Sequence, residues 1–155
     1  MESSRYAKVH SLIWKLTSGA WAGLIFFLST GGFGSSFSEW LLAQVLALLH
    51  VSVAPATFEV LHILMRKSAH MTEYAILAML LYGSQRDDHP FEWRPRRALA
   101  CVAIAAAYSL TDEFHQIFVP GRTASLVDCA IDTAGATLGI LVYYARHLWH
   151  HRNRP

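Results

Sequence analysis

Seven ionisable side chains stand among apolar neighbours between residues 70 and 132: His70 and Glu73, then Asp112, Glu113 and His115, then Asp128 and Asp132. Imidazoles and carboxylates in a water-poor setting can exchange protons with a substrate, which makes His70, Glu73, Asp112, Glu113 and His115 candidate catalytic residues. Lys67 and Arg122 supply positive charge for an anionic group, the guanidinium as a two-pronged donor. Together with Tyr74, Gln116, Ser125, Asp128 and Asp132 they form the candidate substrate-binding set. His70-x-x-Glu73 and Glu113-x-His115 also offer metal-ligand types on two segments, so His70, Glu73, Glu113 and His115 are candidate ligands for a divalent metal. Neither pair has the H-E-x-x-H spacing that would make a metal site specific.

The elements that must position these groups are helices in a bilayer. The chain has 155 residues, 54% of them hydrophobic and only 15% charged, with a mean hydropathy of +0.29, which is too apolar for an ordinary soluble fold. A net charge of +2 with no basic stripe gives no reason to expect nucleic acid as a partner. Cys101 and Cys129 lie in separate apolar runs and read as small core residues, not a disulfide framework. A span needs about 20 apolar residues, and segments near 12–30, 67–83, 98–119 and 126–144 meet or approach that length. The expected fold is therefore all-α: a polytopic four-transmembrane-helix bundle forming one domain over residues 1–155. Residues 37–53 are too short an apolar run to cross. Ser36 and Glu39 open them as a capping box, which suits an extra interfacial or re-entrant helix between the first and second spans.

Basic residues in short flanks set orientation. Ten of the thirteen Lys and Arg fall on one side of a four-span layout, leaving Arg66, Lys67 and Arg122 on the other. Both termini are then cytoplasmic. At 1.5 Å per residue, Glu73, Asp112 and Asp132 each sit about 9–10 Å below the outer end of their span. A charge at the bilayer centre costs at least roughly 3 kcal/mol, so a common depth on three helices argues for one shared pocket in the outer half. Tyr108, Asp112, His115 and Gln116 share a helical face, and Asp128, Asp132, Gly135 and Gly139 share another whose G-x-x-x-G admits a close neighbour. Pro120-Gly121 suits the centre of a type II turn that brings Arg122 back over the mouth. Five carboxylates (Glu73, Asp112, Glu113, Asp128, Asp132) against Arg66, Lys67 and Arg122 leave two negative charges to be met by a divalent cation, by protonated histidines or by shared protons.

Each group also has a bland reading. Ser125-x-x-Asp128 is a capping box, Gln116 and Tyr74 can be interhelical glue, and Lys67 and Arg122 can sit among lipid headgroups.

The stretches RKSAHMTEYAIL (66–77) and TDEFHQIFVPGRTASLVDCAIDTAGATLG (111–139) closely resemble the VanZ-like family of small bacterial membrane proteins, over roughly residues 61–143. The resemblance rests on the combination of Lys67, His70, Glu73-Tyr74, Asp112-Glu113, His115-Gln116, Pro120, Arg122, Ser125, Asp128 and Gly135. It implies a four-helix domain in the bacterial cytoplasmic membrane and a link to teicoplanin-type glycopeptide resistance. Three functions stay open: an enzyme performing hydrolysis or group transfer on a lipid-linked substrate, a non-catalytic binder or transporter of a polyprenyl carrier or lipoglycopeptide, and a structural partner in a membrane complex.

Overall fold

Prolines mark where two of the helices start. In the computed structural model, which describes residues 2–30, 35–85, 93–119 and 124–153, the described residues form five helices and no strand: α1 (Glu2–Leu28), α2 (Ser35–Leu48), α3 (Pro55–Ser84), α4 (Pro95–Gln116) and α5 (Leu126–Arg152). Pro55 and Pro95 each follow an extended residue, Ala54 and Arg94. A first-turn proline forfeits an N–H that has no partner there anyway. α2 closes on His50, whose φ of 56° is left-handed. The bonds His50 N–H to Ala47 O and Val51 N–H to Leu46 O then satisfy its last carbonyls.

The boundaries differ from expectation where a polar stretch continues a helix instead of ending it. The segment expected as the second span is the later part of the 30-residue α3, because residues 57–66 ahead of it wind on without a breaker. α5 runs on to Arg152, eight residues beyond the expected end. α2 stops at Leu48, not 53, and Ser36 lies inside it, not before it as a cap. Two helices, through Ser11–Leu28 of α1 and Leu126–Arg152 of α5, are long and apolar enough to cross a membrane. α3 and α4 fall short of that standard; they carry Arg66, Lys67 and Glu73, and Arg96, Arg97, Asp112 and Glu113.

α3 lies at the centre of the packing. Against α5 the two backbones nearly touch: a Cβ built on Gly135 or Gly139 would overlap the carbonyl oxygen of Met71 or Ala75, as the G-x-x-x-G spacing predicts. Buried Tyr74, Ala78, Cys101, Ala105, Ala136 and Ile140 fill the space between α3, α4 and α5, with Ile25 of α1 behind them. Both cysteines are free and buried. Ser11 of α1 bonds to Ser84 O, and Arg97 of α4 to Gln85 O, at the end where α3 finishes. Ser29 bonds to Asp112 near the opposite ends of α1 and α4. α1 and α4 thus run antiparallel to α3, and the acids gather at one end of the molecule.

Candidate functional site

α3 supplies Arg66, Lys67, His70, Glu73 and Tyr74 at successive turns. α4 brings Ser109, Asp112 and Gln116 on one buried stripe, and α5 opens with Asp128 and Asp132 on the side facing α3. Lys67 Nζ donates to Asp128 Oδ1 at 3.0 Å, with both side chains more than a third exposed. One turn deeper, His70 Nδ1 stands 3.7 Å from Asp132 Oδ1 and 3.9 Å from Glu73 Oε2. Asp132 is 1% exposed, and its other oxygen accepts a 2.6 Å hydrogen bond from Ser109 Oγ. A cavity of about 260 Å³ opens between α3, α4 and α5, bounded by Arg66, Lys67, His70, Gln116, Asp128 and Asp132 with Ile63 and Ile131. His70 Nδ1 is buried while the side chain keeps 20% exposure. Its acid-facing edge is therefore covered, and the exposed part of the ring lies elsewhere.

Five of the expected residues thus meet around one space: Lys67, His70, Gln116, Asp128 and Asp132. The others are placed differently. Asp112 accepts from Ser29 Oγ at 2.8 Å and Gln116 Nε2 at 3.1 Å through a single oxygen, tying α1 to α4. Glu113 is buried and accepts from the Ser125 N–H at 2.6 Å, at the N-terminus of α5. The capping box expected of Ser125 and Asp128 is therefore corrected by half. Ser125 Oγ does accept from Val127 N–H, but the return bond to the Ser125 N–H comes from Glu113 on another helix. Asp128 is free to turn toward Lys67. A carboxylate is well placed at that helix N-terminus, whose partial positive charge it meets.

His115 packs its ring, tilted, on Phe26 of α1 with centroids 4.6 Å apart and lines neither this cavity nor a second one between α1, α2 and α3. Tyr74 is fully buried against Tyr108, ring centroids 6.3 Å apart, and sits beneath the cavity instead of facing it. Glu73 lies on the far side of His70, and its backbone carbonyl accepts from Trp21 Nε1 at 2.9 Å. Among the described residues no three His, Cys, Asp or Glu side chains are grouped to hold a metal ion. His70, Glu73, Glu113 and His115, expected as a possible ligand set, are dispersed because Glu113 caps α5 and His115 leaves on the Phe26 side. Pro120, Gly121 and Arg122 lie outside the described residues.

Three contributors were not singled out from sequence. Ser109 and Ser29 each donate to a buried acid, and Arg66, counted from sequence only on the outer side and in the charge balance, lines the cavity. Spacing held a signal for one of them: Ser109, Asp112 and Gln116 fall at i, i+3 and i+7, a single helical stripe.

Compared with models of known families, residues 14–149 match the one described as VanZ/LLP1. No curated protein and no solved structure matches the chain.

Proposed function

Because the chain belongs to the VanZ/LLP1 family, we propose that it is a membrane-embedded protein whose α3–α4–α5 cavity takes the anionic headgroup of a lipid-linked envelope substrate for hydrolysis or group transfer. The family and the two apolar helices point to a membrane protein. On this reading residues 1–155 form one domain in the bacterial cytoplasmic membrane. α1, α3, α4 and α5 cross it, α2 lies at the interface and both termini are cytoplasmic. The end carrying Lys15, Arg94, Arg96, Arg97, Arg146 and Arg152 is opposite Lys67, which supports placing the cavity in the outer half. Large apolar side chains such as Leu16, Phe27, Leu99, Leu110, Leu138 and Leu141 are exposed along the long helices, as lipid-facing surfaces require.

The observation that carries the chemistry is the stacking of Ser109, Asp132 and His70 beneath Lys67. A buried carboxylate, fixed from behind by a hydroxyl at 2.6 Å, faces an imidazole at the wall of a cavity whose mouth holds cations. That is an orienting acid behind a base. Arg66 and Lys67 hold the anionic group; the attacking oxygen bonds to the headgroup phosphorus as the bond from phosphorus to the leaving oxygen breaks, His70 takes the proton of the attacking hydroxyl and passes it to that leaving oxygen, and Asp132, 3.7 Å from the ring, balances the charge of the imidazolium. In this reading the attacking oxygen is that of water or of a hydroxyl of a second substrate. The same cavity favours a second reading, a binder or transporter of a polyprenyl carrier or lipoglycopeptide that does no covalent chemistry.

Purified protein in detergent, incubated with a polyprenyl phosphate or diphosphate and assayed for altered lipid, tests both. Enzyme action predicts turnover that His70→Ala abolishes while binding persists, and Lys67→Gln weakens binding about 10- to 100-fold. Binding without turnover in the wild type leaves the second reading. Lipid affinity indifferent to Lys67→Gln overturns the cavity assignment.

A further inference from the structure

A second cavity, about 280 Å³, lies on the other side of α3, between α1, α2 and α3. It shares Arg66 and His70 with the first. Those two residues are one helical turn apart, about 6 Å, so the chambers adjoin across a single turn of α3. Their linings differ in kind. Leu28, Phe37, Leu41, Met65 and Ala69 make the second chamber mainly apolar. Its two hydroxyls are engaged with the protein: Ser29 Oγ donates to Asp112 at 2.8 Å, and Ser38 Oγ is hydrogen-bonded to His62 Nε2 at 2.7 Å. Charge is balanced in each, Arg66 and Lys67 against Asp128 and Asp132 in the first chamber and Arg66 against Glu73 in the second, so the contrast between them is the first chamber's two cations and two acids against the second's mainly apolar wall. The outer wall is α2, whose exposed Phe37, Trp40, Leu41, Val45 and Leu48 leave the chamber bordered by apolar surface.

We propose that the α1–α2–α3 chamber receives the first carbons of the alkyl chain of the amphiphile whose headgroup sits in the α3–α4–α5 cavity. This inference rests on the headgroup reading above and extends it. The substrate straddles α3 at Arg66 and His70, its charge toward α5 and its chain toward α2. Chain recognition belongs to α2 and α3, and headgroup recognition to α3 and α5.

The test is a titration of the full-length protein in detergent with inorganic phosphate and with ethyl, butyl, hexyl and octyl phosphate. In the wild type, affinity rises with chain length, up to about fourfold per methylene while the chain is being buried. Ala69→Phe, at an exposed helix position that bulk does not unfold, fills the chamber, and Leu41→Ser makes its wall polar. Both flatten the chain-length dependence and leave inorganic phosphate affinity within twofold of wild type. Lys67→Gln lowers affinity for every member of the series and keeps the increment per methylene. A wild-type increment that survives both Ala69→Phe and Leu41→Ser overturns the chain chamber but not the headgroup site. Affinities unmoved by Lys67→Gln overturn the headgroup site, and the chamber then stands or falls on the two fillers alone. No binding at any chain length overturns both.

Discussion

Replacing Gly135 with alanine tests the contact on which the site's geometry depends. A Cβ at this position overlaps the Met71 carbonyl oxygen and comes within 2.8 Å of Met71 Cα, where ordinary contact begins at 3.4 Å. The obstacle is helix backbone, which does not rotate away as a side chain would, so α5 must back off from α3 by about 1 Å. Met71 follows His70 directly, and Gly135 lies one turn below Asp132. The displacement therefore opens the 3.7 Å His70–Asp132 approach and the 3.0 Å Lys67–Asp128 bond together. Overpacking of this kind costs about 1–3 kcal/mol. In thermal unfolding followed by tryptophan fluorescence in detergent, that corresponds to a fall of about 2–12 °C for a chain of this length. Activity or ligand affinity falls further, by up to roughly 100-fold for a 1 Å misplacement. Gly139→Ala repeats the insult one turn lower, against Ala75. Gly23 is the control, exposed with nothing within 4 Å; alanine there is neutral or stabilises by up to about 1 kcal/mol. Gly135→Ala behaving like Gly23→Ala would refute the close α3–α5 backbone contact.

Three further substitutions separate support from chemistry. Ser109→Ala removes the 2.6 Å donor to buried Asp132 and is expected to cost about 1–3 kcal/mol in the same unfolding assay; an unchanged midpoint contradicts the bond. Glu113→Ala leaves the Ser125 N–H without its acceptor and should destabilise by about 1–2 kcal/mol, whereas Glu113→Gln keeps an acceptor oxygen and most of the stability. Equal loss in the two variants argues for a role of the charge itself. His115→Ala, altering a ring that packs on Phe26 outside both cavities, is expected to leave headgroup affinity within about twofold, and a loss approaching that of Lys67→Gln brings His115 back into the site.

Much of this arrangement was legible because helices impose their own arithmetic. The G-x-x-x-G stripe does meet a neighbouring backbone, Ser125 does cap α5, and Lys67, His70, Asp128 and Asp132 do converge from two helices. What periodicity could not fix was the rotation of α4. Its buried stripe runs through Cys101, Ala105, Ser109, Asp112 and Gln116, with Tyr108 and His115 only half-buried at one edge. Grouping Tyr108 and His115 on one face with Asp112 and Gln116 placed His115 beside His70 in the expected site, whereas only His70 lines the cavity. Partner choice was also invisible. Nothing in Ser125-x-x-Asp128 reveals that a glutamate twelve residues upstream caps the helix from across an interface and leaves Asp128 to Lys67. Of the four spans expected, two helices are long and apolar enough to cross a membrane; α3 and α4 fall short because they carry polar residues, Arg66, Lys67, Glu73, Asp112 and Glu113 among them.

Cysteine labelling tests the central claim most directly, namely one cavity near the external surface shared by α3 and α5. Cys101 and Cys129, both buried, are first replaced by alanine, and Lys67→Cys, Asp128→Cys and Asp132→Cys are introduced singly and as the 67/128 pair. With a membrane-impermeant thiol reagent added to intact cells, positions 67 and 128 are expected to react and to be joined by a short bifunctional reagent, while position 132, 1% exposed, stays protected. Labelling of 67 and 128 only after the cytoplasmic face is opened, or failure of the pair to cross-link from either side, would contradict the account.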